Sequence, residues 1–295
     1  MIVFKRLGQA LGLTLAVAAL APGAALANTA EPCPSFEVSG DGKDVILVPG
    51  LGSSPQVWDG LVAELSGSYR FHRVAVPGFA GEPPLEGKNN YVPGALSELI
   101  GHYIECRDVS APAIIGHSMG GFTALLVARD NPEAISAVVV VDALPFYPLI
   151  FNPDAKPEDM AERAKSMAFM IEQMDPASFK AMQERGAASL TKTEGAAATI
   201  VAWSLASNRS TFARAIENLM TTDLRPDLPA IGTPVTVLYA TNAFATGDRM
   251  DPLYTSAYSG LPKVTLVEIP DSYHFTMFDQ PELTRDAIVA ALSQD

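Results

Sequence analysis

The segment Ile114-Ile115-Gly116-His117-Ser118-Met119-Gly120-Gly121 sets a serine inside a Gly-x-Ser-x-Gly pattern, between one apolar run and a second, Phe122 to Ala128. The first run has the character of a buried strand and the second of a helix. Ser118 therefore falls on a sharp strand-to-helix turn, whose small residues two before and two after let strand and helix approach closely. Such a turn, a nucleophile elbow, strains the backbone and leaves the hydroxyl exposed. A serine hydroxyl is a weak nucleophile until a neighbouring base takes its proton, and four histidines compete for that role. His72 falls inside a strand and His102 inside a helix. His117 is adjacent to Ser118 along the strand, so its side chain should point the other way. His274 lies in Pro270-Asp271-Ser272-Tyr273-His274-Phe275-Thr276-Met277, just past the last apolar strand, where an imidazole can reach over the elbow. The chain order serine, acid, histidine makes it the expected base.

These residues need a scaffold, and the chain supplies one in alternation. Asp44 to Pro49 is a nearly continuous apolar strand, followed by the flexible Gly50-Leu51-Gly52-Ser53-Ser54 and a helical spacing over Gln56 to Leu65. A strand over Phe71 to Val76 and a helix over Val92 to Cys106 come next, then the strand Ala111 to His117 and the helix Gly120 to Arg129. Ile135 to Val141 is another buried strand and delivers Asp142 at its end. Strands alternating with helices imply right-handed crossovers and a mostly parallel sheet, whose ligands sit beyond the carboxyl ends of the strands. From about Pro145 to Pro229 no strand pattern occurs. Helical segments over Pro157 to Met174, Pro176 to Arg185, Thr193 to Ser207 and Ser210 to Met220 predict a helical cap across about 145–230. Met160, Met167, Met170 and Met174 share one face of its first helix, which packs on the main domain or lines an apolar pocket. The sheet resumes at Pro234 to Tyr239. An extended loop over Ala240 to Asp251, a short helix around Leu253 to Tyr258, a strand over Val264 to Ile269 and a closing helix over Pro281 to Leu292 complete the chain.

The 295 residues, 48% hydrophobic and 18% charged, suffice for a full core. Lys5 and Arg6, the apolar Leu11 to Leu20, the break at Pro22-Gly23 and Ala25-Leu26-Ala27 together match a secretory signal peptide over residues 1–27, with the folded domain spanning 28–295. The break leaves the apolar run short of the roughly 20 residues a membrane span needs, so no stable anchor is expected. A periplasmic or secreted location follows. Loss of Lys5 and Arg6 takes the formal charge from −13 to −15, an acidity that disfavours nucleic acid and anionic lipid. Cys33 and Cys106 would enter an oxidising compartment, either closing one disulfide or remaining a free buried pair.

Across essentially the whole mature chain the arrangement resembles the α/β-hydrolase superfamily, in particular its ester-hydrolysing members. Val48-Pro49-Gly50-Leu51-Gly52 is similar to its oxyanion loop, Gly116 to Gly121 to its elbow, Val140-Val141-Asp142 to its next strand end, and Tyr273 to Glu282 to its histidine loop. Pro49 departs from the pattern, which usually has histidine before the glycine. The resemblance implies backbone N–H donors at Leu51 and Met119 for a developing oxyanion. It places the triad acid a few residues past Tyr239, where Ala243 cannot serve; Asp248 or Asp251 would then act instead. A second branch, including some haloalkane dehalogenases, carries its acid at the strand end matching Asp142, and Asp142 is taken as the acid, with Asp248 as the alternative. Dehalogenation itself would need a carboxylate where this chain has Ser118. The implied activity is hydrolysis of a small-molecule ester with an apolar acyl group, without metal or organic cofactor. Amide, lactone or carbon–carbon hydrolysis by the same residues, or ligand binding without catalysis, are the alternatives the pattern leaves open.

Overall fold

The computed structural model describes residue 1 and residues 32–85 and 91–293. The chain divides into two units, Met1–Pro32 and Cys33–Asp295. The expected signal peptide, apart from Met1, lies outside the described residues. In the second unit seven strands form one sheet: β1 (Glu37–Ser39), β2 (Lys43–Val48), β3 (Tyr69–Arg73), β4 (Ala113–His117), β5 (Val138–Val141), β6 (Val235–Ala240) and β7 (Val264–Ile269), in the spatial order β1-β3-β2-β4-β5-β6-β7. β1 pairs antiparallel with β3 and every other pairing is parallel.

Alternation along each strand splits the core in two. Ile46, Val48, Ile114, Val138 and Val140 feed the cluster on one face, while Val45, Leu47, Ile115, Val139 and Val141 feed the other. Side chains that alternate across a sheet buried on both faces must all be apolar, which is why these strands are continuous hydrophobic runs.

The helices are α1 (Asp59–Leu65), α2 (Val92–Cys106), α3 (Met119–Asp130), α4 (Pro157–Gln173), α5 (Pro176–Ala187), α6 (Ala196–Ala206), α7 (Arg209–Thr221), α8 (Gly247–Ala257), the short α9 (Thr276–Asp279) and α10 (Pro281–Leu292). In α3 every residue from Met119 to Ala128 is buried, as expected of a helix that is apolar all round. Among the described residues no helix is long and apolar enough to cross a membrane.

The cap is the stretch between β5 and β6. Three of its four helices start on side-chain caps or a proline: α4 on Pro157, while Asp175 accepts from the N–H groups of Ala177 and Ser178, and Asn208 from that of Thr211. α4 packs on α7 and α5 on α6. The two ends of the insertion meet, for Leu224 N–H donates to the Pro145 carbonyl at 2.9 Å. Away from the cap, Cys33 and Cys106 form a disulfide with a Cα separation of 5.9 Å, tying the start of this unit to the end of α2.

Three sequence expectations shift. The second strand ends at Arg73 rather than Val76, and a turn of 3₁₀ helix, Pro55–Trp58, precedes α1. The region taken as an extended loop to Asp251 is helical from Gly247, so Asp248 and Asp251 both sit on α8.

Candidate active site

Parallel register sets the site. His117 of β4 pairs with Val141 of β5, and Val141 with Leu238 of β6, so β4 and β5 finish level while β6 runs two residues further. Ser118 and Asp142 are the next residues along. Their own N–H groups still extend the ladder, Ser118 to the Val141 carbonyl at 2.9 Å and Asp142 to that of Leu238 at 2.8 Å. Both then leave the strand with positive φ, 54° at Ser118 and 48° at Asp142, a region non-glycine residues rarely occupy and one that recurs at functional sites. Around Ser118 the backbones crowd. A Cβ on Gly116 would lie 2.1 Å from the Gly120 carbonyl oxygen, and one on Gly120 would lie 2.3 Å from that of Val48, so side chains at either position would force the elbow apart.

His274 projects from the loop after β7, and its Nδ1 lies 2.7 Å from Asp142 Oδ2. The other carboxylate oxygen of Asp142 accepts from the Ala240 N–H at 2.9 Å and the Tyr254 hydroxyl at 3.2 Å. Burial, reinforced by the charge of Asp142, pushes the Tyr254 phenol well above its ordinary value, so it remains a donor. A carboxylate at Nδ1 holds the ring proton there and leaves Nε2 as a proton acceptor. Ser118, His274 and Asp142 line one cavity of about 760 Å³. Among the described residues no hydrogen bond joins the Ser118 hydroxyl to His274. In sites without substrate that contact is often long and tightens on binding.

The other carboxylates sit elsewhere. Asp248 is exposed in the first turn of α8, outside the cavity lining, and the Asp251 carboxylate accepts from the Tyr239 hydroxyl at 2.9 Å. Ala243 is exposed. Of the candidate carboxylates, Asp142 is the one paired with His274.

Leu51 and Met119 also line the cavity. Met119 is the first residue of α3, where an N–H has no partner within the helix. Gly50 lies so close to the elbow that a Cβ there would be 3.1 Å from the Ser118 Cβ, which brings the Gly50–Leu51 peptide beside the serine. Pro49 does not prevent this approach.

Several positioning residues escaped the sequence reading. His117 does point away from Ser118, but into use: its Nε2–H donates to the His274 carbonyl at 3.0 Å, and the two rings lie 4.6 Å apart. Its Nδ1 is buried without a partner. Burial, then the neighbouring His274, hold its pKa well below the ordinary value, so the ring is neutral. Asp279 accepts from the Tyr273 N–H at 2.9 Å on one oxygen and from the Thr191 hydroxyl at 2.6 Å on the other, tying the histidine loop to the cap. Phe275 N–H adds a bond to the Leu190 carbonyl at 3.0 Å. The His117–His274 and Asp279–Thr191 contacts have no local sequence signal, because the partners are distant in the chain.

The cavity walls are mostly apolar, with Phe122, Met160, Met167, Phe212, Met220 and Met250 among them. Of the methionine stripe, Met160 and Met167 reach the cavity, whereas Met170 is 51% exposed. A second cavity of about 770 Å³ between α2 and α3 is edged by Glu98, Glu105, Asp108, Asp130 and Glu133 and shares no residue with the first.

The sequence profile described as the alpha/beta hydrolase family matches residues 45–287. The chain is an α/β hydrolase. Curated relatives of this hydrolase include a pimeloyl-[acyl-carrier protein] methyl ester esterase of Aromatoleum aromaticum, 26% identical over 251 residues covering 81% of this chain and 94% of that protein. The corresponding Aeromonas hydrophila protein is 33% identical over 115 residues, covering 38% of this chain and 42% of its own length. Among solved structures, an esterase from Thermogutta terrifontis with malate bound superimposes at a TM-score of 0.73, with 21% identity and 88% and 93% of the two chains covered. An enol-lactonase from Burkholderia xenovorans does so at 0.71, with 20% identity and coverages of 88% and 95%. At such identities the two structures speak for the fold.

Proposed function

We propose that this α/β hydrolase cleaves carboxylic esters through an acyl-enzyme on Ser118, with His274 as base and Asp142 as the acid that orients it. The observation that carries the reading is the 2.7 Å contact between His274 Nδ1 and Asp142 Oδ2, in the cavity that the elbow serine also lines. Ser118 Oγ bonds to the ester carbonyl carbon while His274 Nε2 takes its proton, and Asp142 stabilises the imidazolium. The carbonyl π electrons move onto oxygen, which the N–H groups of Leu51 and Met119 receive; one such donor is worth about 10²–10³ in rate. Collapse breaks the bond to the alcohol oxygen, which leaves with the proton from His274. Water then repeats the cycle on the acyl-enzyme, releasing the acid and restoring Ser118.

The apolar walls support an acyl chain with an aliphatic body, and the full-length relative from Aromatoleum, named a methyl ester esterase, supports the ester class. Pairing of Asp142 with His274 favours catalysis over a receptor that merely keeps the fold, since a receptor has no use for an oriented base. A fluorophosphonate probe tests this: it should label Ser118 rapidly, identified by peptide mass, and leave Ser118→Ala unmodified. Slow or absent labelling of the intact protein would remove the reading.

Export belongs to the same proposal. The leader pattern over residues 1–27 supports it, as does the Cys33–Cys106 disulfide, since such bonds persist in oxidising compartments. The mature protein should begin at Asn28 on N-terminal sequencing; an intact Met1 terminus in the secreted or periplasmic fraction would contradict cleavage.

A further inference from the structure

Two formal charges line the cavity over Ser118 besides the neutral His117 and the base His274: Asp142, already engaged by His274, and Arg163 on α4. Arg163 lies three residues after Met160 and four before Met167, the spacing of a single helix face, and both methionines line the same cavity. Its guanidinium has no hydrogen bond, ion pair or ring contact among the described residues. Several other arginines of this acidic chain are engaged, Arg129 with Asp130 and Asp227, Arg225 with Asp223, Arg209 over the Phe179 ring, whereas Arg185, outside the cavity lining, is unpaired among the described residues as well. Asp159, one turn earlier, and the adjacent Glu162 both leave Arg163 unpaired.

Arg163 is exposed at the cavity wall, so solvent screens its charge, but the guanidinium presents paired donors that match the oxygens of a carboxylate or phosphate. Resting on the ester-hydrolase reading, we propose that this cavity takes esters whose end remote from the reacting carbonyl carries an anion, received by Arg163. The aliphatic segment between lies along the methionine face. Uncharged acyl chains, expected from the apolar cap alone, would then be the poorer substrates at equal length. The anion is a carboxylate at the far end of the acyl chain or a phosphate on the leaving alcohol.

The test compares matched pairs of esters by the ratio of their kcat/KM values, which divides out any general loss of activity in a variant. One arm sets monomethyl esters of dicarboxylic acids of graded length against methyl esters of monocarboxylic acids of the same length. The other sets butyrate esters of a phosphoalkyl alcohol against those of the unphosphorylated alcohol. In one arm the anionic member should be favoured about two- to fivefold, the scale of an exposed ion pair. That preference should shrink with added salt. Arg163→Gln should bring the ratio to about one, and Arg163→Glu should favour an amine-terminated ester instead. A ratio at or below one in both arms, with neutral esters still turned over, overturns the anion subsite and leaves the ester reading standing. So does a preference that persists unchanged in Arg163→Gln. No turnover of any ester counts against the ester reading itself.

Discussion

Replacing Asp142 by asparagine should reduce turnover by about 10⁴-fold, and the geometry says why. In the native site Oδ1 accepts from two donors, the Ala240 N–H at 2.9 Å and the Tyr254 hydroxyl at 3.2 Å, while Oδ2 faces His274 Nδ1 at 2.7 Å. An asparagine must keep its one oxygen on the side of the backbone donor, because an amide NH₂ set against the Ala240 N–H would bury two donors together. Its NH₂ is then aimed at His274 Nδ1, which must accept. The imidazole proton moves to Nε2, the atom that has to take the proton from Ser118. The ring is held in place in the wrong tautomer, and the imidazolium loses its counter-charge. A factor of about 10⁴ corresponds to about 5.4 kcal/mol of transition-state stabilisation. Because both donors to Oδ1 keep their acceptor, thermal stability should change little. Steady-state hydrolysis of p-nitrophenyl butyrate gives kcat and KM, and a fluorophosphonate time course reports Ser118 activation independently. Both rates should fall together, with KM nearly constant. Asp142→Asn within about tenfold of wild type would refute this derivation, as would a collapse in Asp248→Asn, whose carboxylate is exposed on α8.

The neutral His117 makes stability depend on acid. Its folded pKa is held below the ordinary value of about 6.5, so the unfolded chain takes up the proton first. Stability is then full above about pH 6.5 and falls on acidification, by up to about 1.4 kcal/mol per pH unit for one proton. Urea midpoints should fall less steeply with acid in His117→Gln than in wild type; parallel curves would show that His117 does not carry the effect. Its amide can still donate to the His274 carbonyl, so His117→Gln should retain more turnover than His117→Leu. Removing the Cys33–Cys106 bond, which spans 73 residues, should cost up to about 4 kcal/mol by loop entropy and lower Tm with kcat unchanged. An equal Tm for Cys33→Ser/Cys106→Ser would mean the bond constrains nothing that unfolds. Gly120→Ala, whose methyl would meet the Val48 carbonyl, should destabilise by about 1–3 kcal/mol and slow probe labelling; a neutral outcome in both would remove the close approach from the account of the elbow.

Much of this site was legible from local pattern. The elbow announces itself because Gly116, Ser118 and Gly120 are demanded by one turn, and the histidine loop because Pro270-Asp271 ends an apolar strand. The parallel sheet followed from runs such as the four valines of β5. The acid was legible as Asp142 with Asp248 as its rival, and two physical features kept that rival open. Gly247-Asp248-Arg249-Met250-Asp251-Pro252 has turn-like composition, yet α8 runs through Pro252 at the cost of one helical hydrogen bond, which moved both rival carboxylates off a loop. The pairing of Asp142 with His274 joins residues 132 apart, a tertiary contact that no window of sequence contains. β1, three residues on the sheet edge, is too short to show alternation.

The hydrogen bond between Leu224 and Pro145 makes the cap a module. Ser118, His274 and Asp142 all lie outside the stretch this bond closes off, while Met160, Arg163, Met167 and Phe212 lie within it. The residues of the proposed triad and these lining residues thus come from separate lengths of chain. Inserted domains are tolerated where their ends lie close together, and here the ends lie within one backbone hydrogen bond. A chimera that exchanges residues 146–223 for another helical hairpin set needs no new linker, but it must restore the Leu190 carbonyl that accepts from Phe275 N–H and the Thr191 hydroxyl that donates to Asp279, which hold the histidine loop.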